Sequence, residues 1–440
     1  MKLFSTRAAV ALRWLAYAAA TAVFLWVCAQ FYLPGKGFTY LIQFGSKGAA
    51  RYLPELRATD YYEQPDSPGY DAQFYAQIAM HQQLGDPALR DAVDSLPYRA
   101  RRILFCWTAY ALALGDPVRA LHIYAAQNIA CWLLLGALLL RWFPAANWGN
   151  FARWCAVMFS FGLCFSVRGA LVDGPSLLLI AAGMALAEKG RTGWAAAVFG
   201  VAGLGKETNV LAGAAIAWPE ENSPRGWRVA TRRALAIVAP LALWIGCVWW
   251  WLGGGGGGSP ANFAPPLVGF ARKWIDALAG LVAEGPSHSV SLWNVCVMVG
   301  LTTQWLFVVL RRRARDPWWR LAAAYAALMV FLGDAVWEGY PGAATRVLLP
   351  LPLAFNVLVP RGRAWWVVLV LGNLGVLASS DMLTPPGRES FSVEGPRALR
   401  TVEGTTRTVE AVFGDDWYPP EKSRFEFWRW SRRDAALVLR

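Results

Sequence analysis

Charge-free apolar stretches recur along the whole chain. Four are long: residues 14–34, 120–140, 234–252 and 285–310. About 20 apolar residues suffice for a helix to cross a hydrocarbon core of roughly 30 Å, so each can span a bilayer. Others are shorter and bracketed by charges: 154–167 between Arg153 and Arg168, 174–187 between Asp173 and Glu188, 192–205 between Arg191 and Lys206, and 208–219 between Glu207 and Glu220. Residues 321–337 (interrupted by Asp334), 347–360 and 364–380 follow. Together these runs predict an all-α polytopic membrane protein with about eleven transmembrane helices. The first run follows Lys2, Arg7 and Arg13 as a signal sequence would. It is longer than a secretory apolar core and has no clear small-residue cleavage site after it, so it reads as a retained first helix.

Residues 103–115 decide the topology. If they do not cross, short loops carrying Arg141 and Arg153, Lys189 and Arg191, Arg225 to Arg233, Arg311 to Arg320, and Arg361 and Arg363 share the side of the N-terminus. Basic residues in short loops favour the cytoplasm. The N-terminus is therefore expected in the cytoplasm of a bacterial inner membrane and the C-terminal tail in the periplasm. A 13-residue helix is also only about 20 Å long, too short to span comfortably. The chain then divides into a membrane module at 1–252 with a large outer loop at about 36–119, an outer loop at 253–290, further spans at 291–380, and a polar tail at 381–440. Residues 70–84 read as a helix near the membrane surface with an aromatic and apolar face. Six glycines at 253–258 form a flexible hinge by composition. Residues 425–433 alternate aromatic and basic side chains, a pattern suited to a membrane interface.

Composition agrees with the pattern. Of 440 residues, 56% are hydrophobic and 16% charged, whereas soluble domains carry about a quarter charged residues. Disordered, fibrous and disulfide-scaffold classes are excluded. The net charge of +13 raises the question of nucleic acid, but the basic residues sit in short clusters between apolar runs, so no nucleic-acid partner is expected. All seven cysteines lie in apolar segments and read as small buried hydrophobes. The three histidines are too far apart in sequence to form a metal-ligand cluster.

Candidate chemistry lies at one end of the spans. Arg168, Asp173, Lys206, Glu207, Glu338 and Arg346 all fall at outer ends, most beside apolar segments too short to cross. Ionisable residues at membrane depth face a cavity or pair with one another. Lys206 and Glu207 are adjacent between two half-length segments, and are either a salt bridge across a broken helix or part of such a cavity. In the outer loop, Asp60, Glu63, Asp66 and Asp71 fall close together. Asp71 stands at the start of an apolar helix, beside Tyr70 and near Phe74 and Tyr75. It is either a helix N-cap or a general base at the membrane surface.

The segment running from Gly69 through Tyr70, Asp71, Ala72 and Gln73 to Tyr75 resembles the first-outer-loop carboxylate motif of the GT-C membrane glycosyltransferases, which include protein O-mannosyltransferases and GPI-type mannosyltransferases. Arg168, Asp173 and Pro175 look like the family's Arg, Leu-Asp-Pro element, and Gly203, Gly205 and Lys206 are similar to its Gly-Leu, Thr-Lys element. The chain looks closest to a bacterial branch linked to cell-surface glycopolymers. It departs from the family where Ala72 replaces a second acid and Gly174 separates Asp173 from Pro175. The resemblance implies a GT-C-like fold in which a sugar passes from a polyprenyl-phosphate donor to a glycan or glycolipid acceptor on the extracytoplasmic face, with inversion. It further implies Asp71 as general base, Lys206, Arg168 and Arg346 on the donor phosphate, and Asp173, Glu207, Tyr75 and Glu338 orienting the substrate. Neither a cofactor nor a divalent metal is expected. A transporter or flippase of lipid-linked sugars, or a non-catalytic membrane scaffold, would share the spans and the buried charges.

Overall fold

The computed structural model describes residues 2–219, 221–253, 260–285, 289–339 and 342–384, and beyond these the segments 389–394, 397–402, 408–413, 416–418, 421–422, 427–428, 431 and 435–439. Two compact units are present, Met1–Thr384 and Pro385–Arg440.

The first unit is helical and has the character of an integral membrane protein. Among the described residues, four helices are long and apolar enough to cross a bilayer: Ala8–Ala29, Pro117–Leu139, Pro224–Leu252 and Ser289–Leu310. Two bent pairs raise the number to six if each is one span. These are Trp148–Met158 with Phe161–Arg168, bent by 46°, and Arg363–Gly372 with Leu374–Leu383, bent by 43°. The other expected spans are shorter helices, among them Asp173–Glu188, Thr192–Gly205, Pro317–Phe331 and Pro350–Leu358. Residues 208–219, expected as a half-length apolar segment, instead begin in a 3-10 helix, Glu207–Ala215. Residues 103–115 contain only the nine-residue helix Leu104–Leu112.

Local sequence explains where several helices start. Asp86, Asp116, Ser223 and Asp316 each precede a proline. Their side chains accept the first-turn amides of Ala88, Arg119, Gly226 and Trp318 at 2.8, 2.7, 3.1 and 2.9 Å. Proline at the first helical position has the right φ and lacks an N–H that would be unpaired there, while the preceding oxygen satisfies an orphan donor.

Aromatic packing joins the long helices. Trp132 stacks on Phe24 with centroids 3.7 Å apart, and the indole N–H of Trp132 reaches the Met158 carbonyl at 2.9 Å. At the end of the bundle remote from the 36–119 loop, Glu188 accepts from the indoles of Trp142 and Trp318, both at 2.8 Å, and from Arg141 at 2.9 Å. One carboxylate thus ties three segments together.

The 36–119 loop is not a solvated excursion. Leu41, Ile42, Phe44, Leu53, Leu56, Tyr75, Ile78, Leu89 and Ile103 form a buried core of their own, continuous with Tyr124 and Ala125 of the Pro117–Leu139 helix. The helix expected at 70–84 is shorter than expected and packs into this core. The helix is Ala72–Met80, and of its nine residues all but Phe74 are buried. Its two glutamines make this possible. Gln73 Oε1 accepts from Tyr52 Oη at 2.6 Å, and Gln77 Oε1 accepts from the Leu53 amide at 3.0 Å. Buried amides must be paired, and these are paired with the loop itself.

The second unit, within the stretch expected as a polar tail, contains strands. Glu389–Glu394, Arg397–Val402, Thr408–Phe413 and Leu437–Leu439 form an antiparallel sheet in that order, with Phe391 opposite Arg400 and Ala411 opposite Leu439. Of the interfacial stretch 425–433, only 427, 428 and 431 are described, and Phe427–Trp428 pairs as a short strand with Glu421–Lys422. Of the glycine hinge only Gly253 is described. It ends the Pro224–Leu252 helix at φ +77°.

One close approach places a functional segment. A Cβ on Gly162 would lie 2.2 Å from the Thr345 carbonyl oxygen, so the Phe161–Arg168 and Ala344–Val347 helices touch backbone to backbone. Gly162→Val should lower stability by about 1–3 kcal/mol through overpacking. Thermal unfolding of the purified protein in detergent checks this; an unchanged midpoint would show that the contact does not constrain the fold.

Candidate functional site

Asp173 is the first residue of the Asp173–Glu188 helix, where the helix dipole favours an anion. The helix start is pressed against its neighbours: the Gly174 amide donates to Ser166 Oγ at 2.7 Å, and a Cβ on Gly174 would meet Asn128 Oδ1 at 3.0 Å. The Asp173 side chain is 2% exposed. Its Oδ1 accepts from Lys206 Nζ in a very short contact, and its Oδ2 accepts from Arg346 Nη1 at 3.2 Å. Three segments far apart in sequence therefore meet on one carboxylate. Arg346 also donates to Tyr70 Oη at 3.0 Å and lies over the Phe165 ring at 5.0 Å, which links the loop to the bundle.

The adjacent pair Lys206 and Glu207 divides between two partners. Lys206 is extended, with φ −163° and ψ 134°, between the Thr192–Gly205 helix and the following 3-10 helix. Successive side chains of extended backbone point to opposite sides. Lys206 turns to Asp173, while Glu207 Oε2 accepts from Arg102 Nε at 2.9 Å. The salt-bridge reading is right in kind, but neither residue bridges to the other. Arg102 also donates to Tyr75 Oη at 3.0 Å and Tyr98 Oη at 2.8 Å. Burial raises the Tyr75 phenol above its ordinary pKa, against the opposing pull of Arg102 and Arg99, so Tyr75 remains a neutral phenol.

Asp71 sits at the N-cap position of Ala72–Met80, yet its side chain makes no capping hydrogen bond. Its Oδ1 lies 3.0 Å from Arg99 Nη2, and the side chain is 36% exposed. Arg99 is held independently by Asp94, at 2.9 Å from Nε and 2.7 Å from Nη2. Burial disfavours the Arg99 charge, but hydrogen bonding to Asp94 and the field of Asp71 more than offset it and hold the guanidinium above its ordinary pKa. Tyr70, next to Asp71 in the chain, accepts a hydrogen bond from Arg346, and Arg99, the partner of Asp71, lies over the Tyr75 ring. Asp71 therefore lies at the edge of the Asp173 cluster.

The structure brings together Asp71, Tyr75, Asp173, Lys206, Glu207 and Arg346. It does not bring Arg168 or Glu338 into that network. The Arg168 guanidinium lies over Phe31 and Tyr40, 4.6 Å from each centroid. Glu338 is exposed and lines a cavity of about 410 Å³ with Arg272, Lys273, Asp334 and Trp337. The sequence reading missed Arg99, Arg102 and Tyr70. The available signal was the basic cluster of Arg99, Arg101 and Arg102 in a loop assigned to the outer side. Long loops escape the positive-inside bias, so these cations carried no weight in the topology, although they stood opposite acids at the span ends.

Compared with protein-family models, with curated proteins and with solved structures, the chain shows no match.

Removing one partner of a buried ion pair strands the other at a cost of about 3–5 kcal/mol. Asp173→Asn would strand two cations side by side and should destabilise by at least that range. The double variant Asp173→Asn with Lys206→Met should recover part of the loss. A double-mutant cycle on thermal stability measures this; additive effects would mean that the two residues are not coupled.

Proposed function

We propose that the protein is a membrane glycosyltransferase that moves a sugar from a polyprenyl-phosphate donor to a cell-envelope acceptor on the extracytoplasmic face, with inversion. The observation that carries this reading is the placement of Asp71. It is a partly exposed carboxylate at the edge of a buried group in which Lys206 and Arg346 share a single acid, Asp173. That group of three carries one net positive charge, which suits an anionic ligand.

In the reaction, an acceptor hydroxyl oxygen attacks the anomeric carbon of the donor sugar. Asp71 takes the hydroxyl proton. The bond between the anomeric carbon and the phosphate oxygen breaks, and the electron pair leaves with the polyprenyl phosphate. Lys206 and Arg346 stabilise the charge that develops on the departing phosphate. Arg99 aims Asp71, and Asp94 keeps Arg99 in place. Glu207 holds Arg102, which orients the Tyr75 and Tyr98 phenols. A donor whose lipid tail stays in the bilayer while its phosphate meets protein cations fits a charge cluster at the end of short membrane helices.

A non-catalytic scaffold is favoured by one observation: Arg99, Arg102, Lys206 and Arg346 each already face a carboxylate, as a purely structural network would require. Release of sugar from a labelled polyprenyl-phosphate donor separates the two readings. Asp71→Asn should cut transfer by about 10²–10⁴-fold, the usual worth of a general base. It should leave the thermal midpoint close to wild type, because Arg99 retains Asp94. Wild-type transfer by a folded Asp71→Asn protein would remove Asp71 from the mechanism; no transfer by the wild type with any such donor would leave the scaffold reading.

A further inference from the structure

The charge network has a cation outside it. Arg168 ends the Phe161–Arg168 helix, and no carboxylate pairs with it among the described residues. Its surroundings are aromatic: Phe31 and Tyr40 beneath the guanidinium, the Tyr40 phenol within hydrogen-bonding reach, and Tyr62 nearby. Nη1 is buried and has no hydrogen-bond partner. Cation–π contact compensates part of a guanidinium charge through the ring faces, but it leaves N–H donors unused. An unmet buried donor on a charged group costs several kcal/mol. A second cation stands on the same aromatic platform. Tyr62 packs on Tyr40 with centroids 4.4 Å apart, and Lys36 Nζ lies 6.0 Å from the Tyr62 centroid.

The position tells what kind of anion completes the site. Phe31 directly follows the first helix, of which the spanning window is only 11% buried, so that helix is peripheral in the bundle. Tyr32 and Trp26 near its end are exposed aromatic side chains, as expected where a span meets the headgroup layer. Arg168 and Lys36, both half-buried, thus sit beside the end of a peripheral apolar helix.

We infer that Arg168 and Lys36, on the Phe31, Tyr40 and Tyr62 platform, bind the phosphate group of a bilayer lipid. Arg168 supplies planar paired donors that match phosphate oxygens, and Lys36 adds a second charge. This site is separate from the Asp173 cluster. It rests on the membrane character of the chain and not on the transferase reading.

Native mass spectrometry of the delipidated full chain tests it. The protein in neutral detergent is titrated with dioleoylphosphatidylglycerol, with dioleoylglycerol as the phosphate-free control. The wild type should retain the phosphatidylglycerol and not the control. Arg168→Gln should weaken retention by about tenfold to hundredfold, the worth of one charge-assisted contact. Arg168→Lys, which keeps the charge but loses the fork, should fall between. Lys36→Gln, on a turn, should weaken it by about fivefold and reads the same site if Arg168→Gln does not fold. Unchanged retention in Arg168→Lys and Lys36→Gln, or in a folded Arg168→Gln, would overturn the proposal. Equal retention of dioleoylglycerol would also overturn it. Displacement of the lipid by low-millimolar inorganic phosphate would assign the site to a soluble anion instead of a lipid.

Discussion

Asp173 is the point on which the site depends. A carboxylate this deeply buried persists as an anion only if its lost hydration is replaced, and here two cations replace it. Each cation brings its own segment. Lys206 fixes the break after the Thr192–Gly205 helix, and Arg346 fixes the short Ala344–Val347 helix and, through Tyr70, the base of the loop. In a medium of low polarity these attractions are stronger than in water, and so is the penalty for breaking them. Segments some 170 residues apart are therefore held in one arrangement by a single acidic side chain.

Packing lets the charges meet. Gly162 and Gly205 leave room where any side chain would collide, with Thr345 in one case and Phe105 in the other. The buried Ala72–Met80 helix carries Asp71 to the cluster, and Gln73 and Gln77 satisfy the polar demands of its burial within the loop's own backbone and Tyr52. The loop is thus a packed extension of the bundle, and its acid is positioned as firmly as the charges at the span ends. Asp71 is 36% exposed where Asp173 is 2% exposed, and its partner Arg99 does not depend on it. That combination of fixed position and partial exposure is what a proton acceptor requires.

The same accounting of charge distinguishes Arg168. Every cation of the network answers to an acid inside the protein, whereas Arg168 answers to aromatic rings. In sequence Arg168 and Arg346 look alike, each an arginine at the end of a short apolar helix. They differ only in what the fold sets opposite them.

The sequence by itself determined the membrane character of the chain, the long spans, and the starts of the helices headed by Asp116, Ser223 and Asp316. These follow from run length and from a cap followed by proline, both local properties. It also marked Arg168, Asp173, Lys206, Glu207, Glu338 and Arg346 as charges that apolar surroundings would force to pair or to face a cavity, and Asp71 as a helix N-cap or a general base. Tertiary structure decided the partners. The extended backbone at Lys206 sends two neighbouring charges in opposite directions, and burial of the 36–119 loop brings Arg99 and Arg102 against Asp71 and Glu207. Which acid meets which base depends on contacts between segments from tens to more than a hundred residues apart, and no local pattern of apolar and polar positions encodes those distances.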